Sequence, residues 1–327
     1  MKTKILTRLS CLTLLSLLAA CGGATTPSSQ TTPPESQSSE LPSSVSALLS
    51  SECNSRPTPQ TINATVNGTP YHYTETLAEQ DEGHEIASGT HLLAANKVGR
   101  LVFKPSTDGK VVWGARKWAL AGTQPESNTA LGNITIRSET ISNEAQVVVN
   151  HPNNSIPIRY EVCLVVLGPA DWEAHLTNET GDITSENHSG LITTDNNTGD
   201  TIIAQNGPGF ITATTNTGDI IATGDSRGGV NLVTNTGSII STLTNAGVSL
   251  QTVSQLQTET GNIILNLADG FGFNLTASTN TGDITVPSFF PTPTEHNTGF
   301  TFSTEANGGG ATLSLHTNTG SINIVAQ

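Results

Sequence analysis

The sequence predicts an all-β fold, a parallel β-solenoid (β-helix) of about 19-residue coils with an irregular β-rich N-terminal part. Two observations carry this. The first is one turn, Thr-Gly-(Asp/Ser/Asn), which recurs seven times and is followed by Ile in six of the copies. The copies are Thr180-Gly181-Asp182-Ile183, Thr198-Gly199-Asp200-Thr201, Thr217-Gly218-Asp219-Ile220, Thr236-Gly237-Ser238-Ile239, Thr260-Gly261-Asn262-Ile263, Thr281-Gly282-Asp283-Ile284 and Thr319-Gly320-Ser321-Ile322. Successive turn glycines are 18, 19, 19, 24, 21 and 38 residues apart, and the last gap is twice 19. A fixed period of this size marks stacked units, none of which can bury its own apolar face alone.

The second observation is a register around each glycine. Seven positions before it stand Ala174, Ile192, Ile211, Val230, Ser254, Leu275 and Leu313, and five before it Leu176, Thr194, Ala213, Leu232, Leu256, Ala277 and Leu315. Two positions after it stand Ile183, Thr201, Ile220, Ile239, Ile263, Ile284 and Ile322. These columns are mostly apolar and the residues between them mainly Thr, Asn, Ser and Gln, an alternation that reads as strands with one face buried. Secondary glycines at Gly190, Gly209, Gly229, Gly247 and Gly272 open a second strand in each coil. With a rise of ~4.8 Å per rung, about eight rungs make a rod near 40 Å long. An up-and-down barrel or a sandwich also uses short strands with regular turns, but does not require the same dipeptide at every second turn.

Taken in order, residues 1–20 read as a secretion signal. Lys2, Lys4 and Arg8 precede an apolar run too short to cross a bilayer of ~30 Å. The ending Leu18-Ala19-Ala20-Cys21 resembles the lipobox of bacterial lipoproteins. That resemblance implies lipid modification at Cys21, and Gly22 in place of an aspartate implies the cell outer membrane, reached through the lipid anchor. Residues 21–50, nearly all Gly, Thr, Ser, Pro, Gln and Ala, are expected to be a disordered tether. Residues 51–172 are β-rich but irregular, with candidate strands at 61–66, 101–103, 111–113, 133–137, 146–149 and 160–166. They read as a separate domain, a cap or the first rungs. Residues 173–327 are the repeat, and the final strand from Ile322 is expected to leave a bare rung. The long gap holds Phe289, Phe290, Phe300 and Phe302, read as an insertion folded on the solenoid flank, and Asn297-Thr298-Gly299 reads as a degenerate extra turn.

Cys11 belongs to the signal and Cys21 to the lipobox, so Cys53 and Cys163 are the candidate disulfide, the alternative being two separately buried thiols. The net charge of −14 is uneven: from residue 174 onward one base, Arg227, faces twelve acids. That surface repels phosphate backbones, which excludes nucleic acid as a partner.

No cofactor is expected, and no metal or catalytic residue is assigned. The post-glycine column reads Asp182, Asp200, Asp219, Ser238, Asn262, Asp283 and Ser321, and its first three could form a calcium-binding carboxylate ladder, but the nine-residue calcium signature is missing and such turn side chains usually bond local amides. A glycosidase needs two carboxylates facing across a groove, and the repeat places its acids mainly at turns. His72, His84 and His91 lie among acids without metal-ligand spacing. Trp113 and Trp118 read as core rather than as a sugar platform.

The Gly168-Pro169 entry, the run from Ala174 to Ile183 and the recurring Thr-Gly-Asp-Ile together resemble the bacterial "putative adhesin" family of β-strand repeat proteins, DUF4097. The resemblance covers about residues 130–327. It implies a β-solenoid without catalytic residues, acting as an adhesive or structural surface toward an envelope protein or glycan. The alternative is a periplasmic binding or stress-response accessory, and a polysaccharide-active β-helix enzyme stands third.

Overall fold

A computed structural model describes residues 43–87, 89–225, 227–244 and 247–326. Cys21, the signal segment and most of the expected tether lie outside the described residues. The described residues form twenty-five strands and two helices. The strands make two large sheets, of twelve and eleven strands, and one separate hairpin, Thr61–Val66 with Thr69–Thr74. The fold is the expected all-β parallel solenoid.

Each repeat coil sends the strand before its turn glycine into the twelve-stranded sheet and the strand after it into the eleven-stranded sheet. We call these the pre-turn and post-turn sheets. Neighbouring coils pair in parallel without slippage at the core columns, as in Ile192 with Ile211 and Ile211 with Val230, or Ile220 with Ile239 and Ile239 with Ile263. A one-residue slip would turn every apolar side chain outward, so the inward columns themselves hold the register. Ile192, Ile211, Leu232, Leu256, Ile220, Ile239 and Ile263 are all fully buried.

The stack extends beyond the seven turns at its N-terminal side. Strands His91–Val98 and Leu101–Pro105 flank Gly99 and pair with Glu173–Thr180 and Ile183–His188. Leu92, Ala94 and Leu101 fill the same three columns there. A further coil, Glu144–Asn150 with Arg159–Gly168, lies outside that one. Its turn, residues 151–158, includes the cis peptide Ile156-Pro157. Antiparallel strands Thr135–Ile141 and Val111–Ala121, then Thr76–Ile86, close this end. The irregular region is therefore both first rungs and cap, and it is continuous with the repeat.

At the other end the order of coils departs from the order of the chain. Strand Thr312–Thr319 lies between Ser254–Thr260 and Phe273–Thr281, and Ile322–Ala326 lies between Ile263–Leu267 and Ile284–Thr285. The last segment thus fills a gap that the chain left open one coil earlier, and it is not a bare rung. Asn297-Thr298 is the tip of a hairpin, with His296 opposite Gly299, rather than an extra solenoid turn. Strand Gly299–Ala306 runs antiparallel along Phe273–Thr281 and covers the edge that an all-parallel stack would leave exposed. Phe302 is buried and Phe290 and Phe300 pack on the core, while Phe289 is 70% exposed.

Helix α1 (Ser43–Glu52) begins inside the segment expected to be tether. Val45, Leu48 and Leu49 share one helical face, and Val45 and Leu49 are fully buried against Val102, Val112, Val165 and Trp118. The Pro- and Ser-rich composition upstream hid this short apolar stripe. Cys53, just after the helix, is disulfide-bonded to Cys163. A bridge spanning 110 residues removes much denatured-state entropy. Converting both cysteines to serine is expected to cost about 2–4 kcal/mol. Urea unfolding of the double variant would check this, with a fall in midpoint and a steeper slope, from the more expanded denatured chain, as the expected result. Helix α2 (Gln124–Leu131), capped by Thr123, packs on the N-terminal closure.

Candidate interaction surface

The turn glycines stack directly on one another. Gly181, Gly199, Gly218, Gly237, Gly261, Gly320 and Gly282 all have φ between 117° and 150°. A Cβ on Gly218 or Gly237 would lie 2.0 Å from the carbonyl oxygen of the turn glycine one coil before it. Each residue after a turn glycine also reaches the next coil. Asp182 Oδ1 accepts from the Asp200 amide at 3.0 Å, Asp200 Oδ1 from Asp219 at 2.9 Å, and Asp219 Oδ1 from Ser238 at 2.7 Å. Ser238 Oγ, Asn262 Oδ1 and Ser321 Oγ continue the series up to Asp283. The acidic ladder is therefore a coil-to-coil brace: the amides it bonds are not the local ones expected of such turns but those of the next coil. Among the described residues, no three His, Cys, Asp or Glu side chains converge as a metal shell.

Three positions before the glycine lies a column that the sequence reading left among the outward residues. Asn96, Asn178, Asn196, Thr215, Thr234, Thr258, Thr317 and Thr279 are buried. Asn178 Nδ2 donates to Gly99 O at 2.8 Å, Thr258 Oγ1 to Gly237 O at 2.9 Å, and Thr317 Oγ1 to Gly261 O at 2.9 Å. This inner polar ladder gives turn-glycine carbonyls their side-chain donors inside the core. Its signal was visible as a parity match with the −5 and −7 columns. Thr258→Val should leave Gly237 O without this donor and cost about 1–3 kcal/mol, measurable as a lowered melting temperature.

The outward face of the pre-turn sheet is polar along the repeat coils except at Val233. Two before the glycine, Asn197, Asn216 and Asn235 form a ladder in which Asn216 Nδ2 donates to Asn197 Oδ1 at 3.3 Å and Asn235 Nδ2 to Asn216 Oδ1 at 2.7 Å. Asn280 Nδ2 donates to Asn318 Oδ1 at 2.8 Å, and Asn318 to Glu259. Four before it stand Thr177, Asp195, Thr214, Val233, Gln257, His316 and Ser278. Between these columns, Asp195, Asn197, Thr214, Asn216, Val233 and Asn235 line a shallow trough along the rod. His175 contacts Asp195 at 2.8 Å above it. The trough presents the amides of Asn197, Asn216 and Asn235, the Thr214 hydroxyl and the Asp195 carboxylate.

Most of the bases lie in the N-terminal part, and several pair with acids. Arg116 pairs with Asp81, Lys117 with Glu82, Lys104 with Glu52 and Glu186, and Arg159 with Glu75. Burial pushes the Glu75 carboxyl up, but hydrogen bonds from Arg159 and the Gln60 amide more than reverse this and hold it below the ordinary carboxylate value. Burial also lowers the basicity of His188, which is fully enclosed beside Phe103. The histidines weighed as a metal cluster are dispersed: His72 contacts Asn63, His84 lies edge-on to Trp113, and His91 pairs with Glu173. Trp113 and Trp118 are both buried, so neither is a sugar platform. Cys21 lies outside the described residues, and Cys53 and Cys163 form the disulfide far along the rod from the trough.

Neither a family model nor a curated protein matches the sequence. Among solved structures, 76% of this chain aligns with all of a putative cell adhesion protein from Clostridium sporogenes, at 12% identity and a TM-score of 0.34. The same share aligns with 97% of a putative adhesin from Bacteroides fragilis, at 12% identity and a TM-score of 0.42. It also aligns with 96% of a putative lipid binding protein from Parabacteroides distasonis, at 9% identity and a TM-score of 0.29. Likenesses this remote carry no argument about role. The resemblance to the adhesin repeat family rests on the turn motif and its spacing.

Proposed function

We propose that this protein is a non-catalytic cell-envelope lipoprotein whose solenoid is an adhesive or structural surface. Its anchor would be the lipid on Cys21, its location the outer membrane, and its partner an envelope protein or a glycan. The observation that carries the reading is the pre-turn face, where amide and hydroxyl columns repeat coil after coil beside a shallow trough. A surface of fixed polar spacing suits an extended, repeating ligand better than a small substrate. The trough lining holds one carboxylate, Asp195, where glycoside hydrolysis would need two. The accessory-protein reading keeps one specific feature, the exposed Phe289. Phe289→Ala tests it better than deletion of residues 288–296, because that segment belongs to the end closure.

The test is protease digestion of intact cells carrying the native protein or Cys21→Ala, with attachment scored in parallel. Digestion of the native form, release of the variant to soluble fractions, and weaker attachment after Thr214→Glu with Asn216→Glu would support the proposal. Protection until the outer membrane is breached would move the accessory reading ahead.

A further inference from the structure

The outward face of the post-turn sheet carries an apolar row that helix α1 covers only in part. Register places Gly83, Gly114, Val165, Val102, Thr184, Ile202, Ile221, Ile240, Ile264 and Asn323 side by side, one per strand. The helix sits on the first part. A Cβ on Gly114 would lie 2.0 Å from Val45 Cγ1, and Val102 and Val165 are fully buried beneath the helix. Its end is held by Glu52, which contacts Arg100 at 3.2 Å and Lys104 at 2.7 Å. Thr184, next in the row, is buried and accepts from Arg100. Past this point the row opens: Ile202 is 38% and Ile221 36% exposed, and Ile240 and Ile264 are half-buried.

The charge beside the row reverses at the same place. Two residues toward the turn, at the next outward position, Arg116, Cys163 and Arg100 flank the covered part. Asp182 takes over that column beside Thr184, Asp200 and Asp219 continue it beside Ile202 and Ile221, and the neutral Ser238 and Asn262 follow beside Ile240 and Ile264. Each of the three aspartates uses its Oδ1 on the next coil's amide, and Asp182 and Asp200 are exposed.

We infer that the Ile202–Ile221–Ile240–Ile264 row docks an amphipathic helix of a partner, with Lys or Arg beside its apolar stripe. Helix α1 shows the mode of packing. A helical turn of ~5.4 Å nearly matches the ~4.8 Å step between coils, so residues at i and i+4 meet successive strands. Three such steps span ~14 Å, about ten helical residues, the length of α1 itself. Where α1 uses Glu52 against Arg100 and Lys104, the open row faces carboxylates and calls for a base. A second copy of this chain fits poorly. A second copy presents the same row, which carries no base to face Asp200 and Asp219. This surface is independent of the pre-turn face proposed for adhesion.

The test uses the purified protein and a fluorescent helical peptide of Leu and Lys, with Leu at i, i+3, i+4 and i+7. A Leu/Glu counterpart and a scrambled Leu/Lys peptide are the controls. The variants copy residues that the chain already tolerates in these columns: Ile221→Thr with Ile240→Thr, and Asp200→Asn with Asp219→Asn. Saturable, salt-sensitive binding of the Leu/Lys helix is expected, weakened roughly tenfold by each double variant at unchanged melting temperature. No binding, equal binding of either control peptide, or binding indifferent to the variants would overturn the inference. A native protein that self-associates in sedimentation, with Ile221→Thr/Ile240→Thr monomeric, would assign the row to a second copy instead.

Discussion

Replacing Gly237 with alanine is expected to destabilise the solenoid by about 3–5 kcal/mol, an effect normally reserved for the core although the site lies at a turn. Two costs combine. The backbone at Gly237 has φ of 148°, a conformation that L side chains rarely adopt, and this alone is worth about 1–3 kcal/mol. The added Cβ would also lie 2.0 Å from Gly218 O, and that oxygen accepts from Thr234 Oγ1 at 3.1 Å. The clash is therefore with a fixed carbonyl, not with a side chain that can swing away. Gly247→Ala separates the two costs, because Gly247 has φ of 73° and open space where the Cβ would go. Its expected loss is about 1 kcal/mol. Thermal melts of both variants check the argument, and similar losses for both would show that glycine stacking adds nothing beyond backbone strain.

The turn repeat exposed the solenoid because one conformational demand, positive φ with a carbonyl packed where a Cβ would be, recurs at every coil. The inward columns were legible for the same reason: Ile220, Ile239 and Ile263 stack on each other and meet the same environment. The coil around Gly99 was not legible, since Val98-Gly99-Arg100-Leu101 lacks the Thr and the acid. Arg100 turns that position toward Glu52 and helix α1, so the local motif changed with the neighbour it serves. The Ile doublets Ile202-Ile203, Ile220-Ile221 and Ile239-Ile240 were in view, but alternation marks only one member of each as inward. What the outward member meets depends on where α1 ends, which no local pattern states. The disulfide followed from elimination among four cysteines, and the outward faces follow from alternation. The order of the last coils did not, because identical columns make adjacent coils interchangeable in sequence terms.

That interchangeability sets up the second large effect. A variant ending at Ala311 is expected to lose structure through the whole of residues 273–306 while the earlier coils stay folded. The segment it lacks buries Leu313, Leu315, Thr317, Ile322 and Ile324 between two coils. Each large apolar side chain of that set contributes about 1.5–3 kcal/mol when buried. Every parallel rung contact of Phe273–Thr281 and Ile284–Thr285 is made to it, and the remaining partner of that coil is the antiparallel strand Gly299–Ala306. An isolated pair of that kind is marginal in water, so coil and closure should melt together. The competing outcome is that Phe273–Thr281 drops one step and stacks on Ser254–Thr260, which its own Leu275, Ala277 and Thr279 columns would allow. The hinge opposes this: Ser249 bridges Gly272, and the Gly272 amide donates to Val248 O at 2.9 Å. With Gly272 fixed beside residues 248–250, the shift would have to be absorbed within the few residues that follow it. Amide exchange on the shortened protein decides between the two. Fast exchange across 273–306, restored by adding residues 312–327 as a peptide, would show that the last segment locks the rod by filling a gap held open for it. Retained protection without the peptide would show that column matching alone can close the stack.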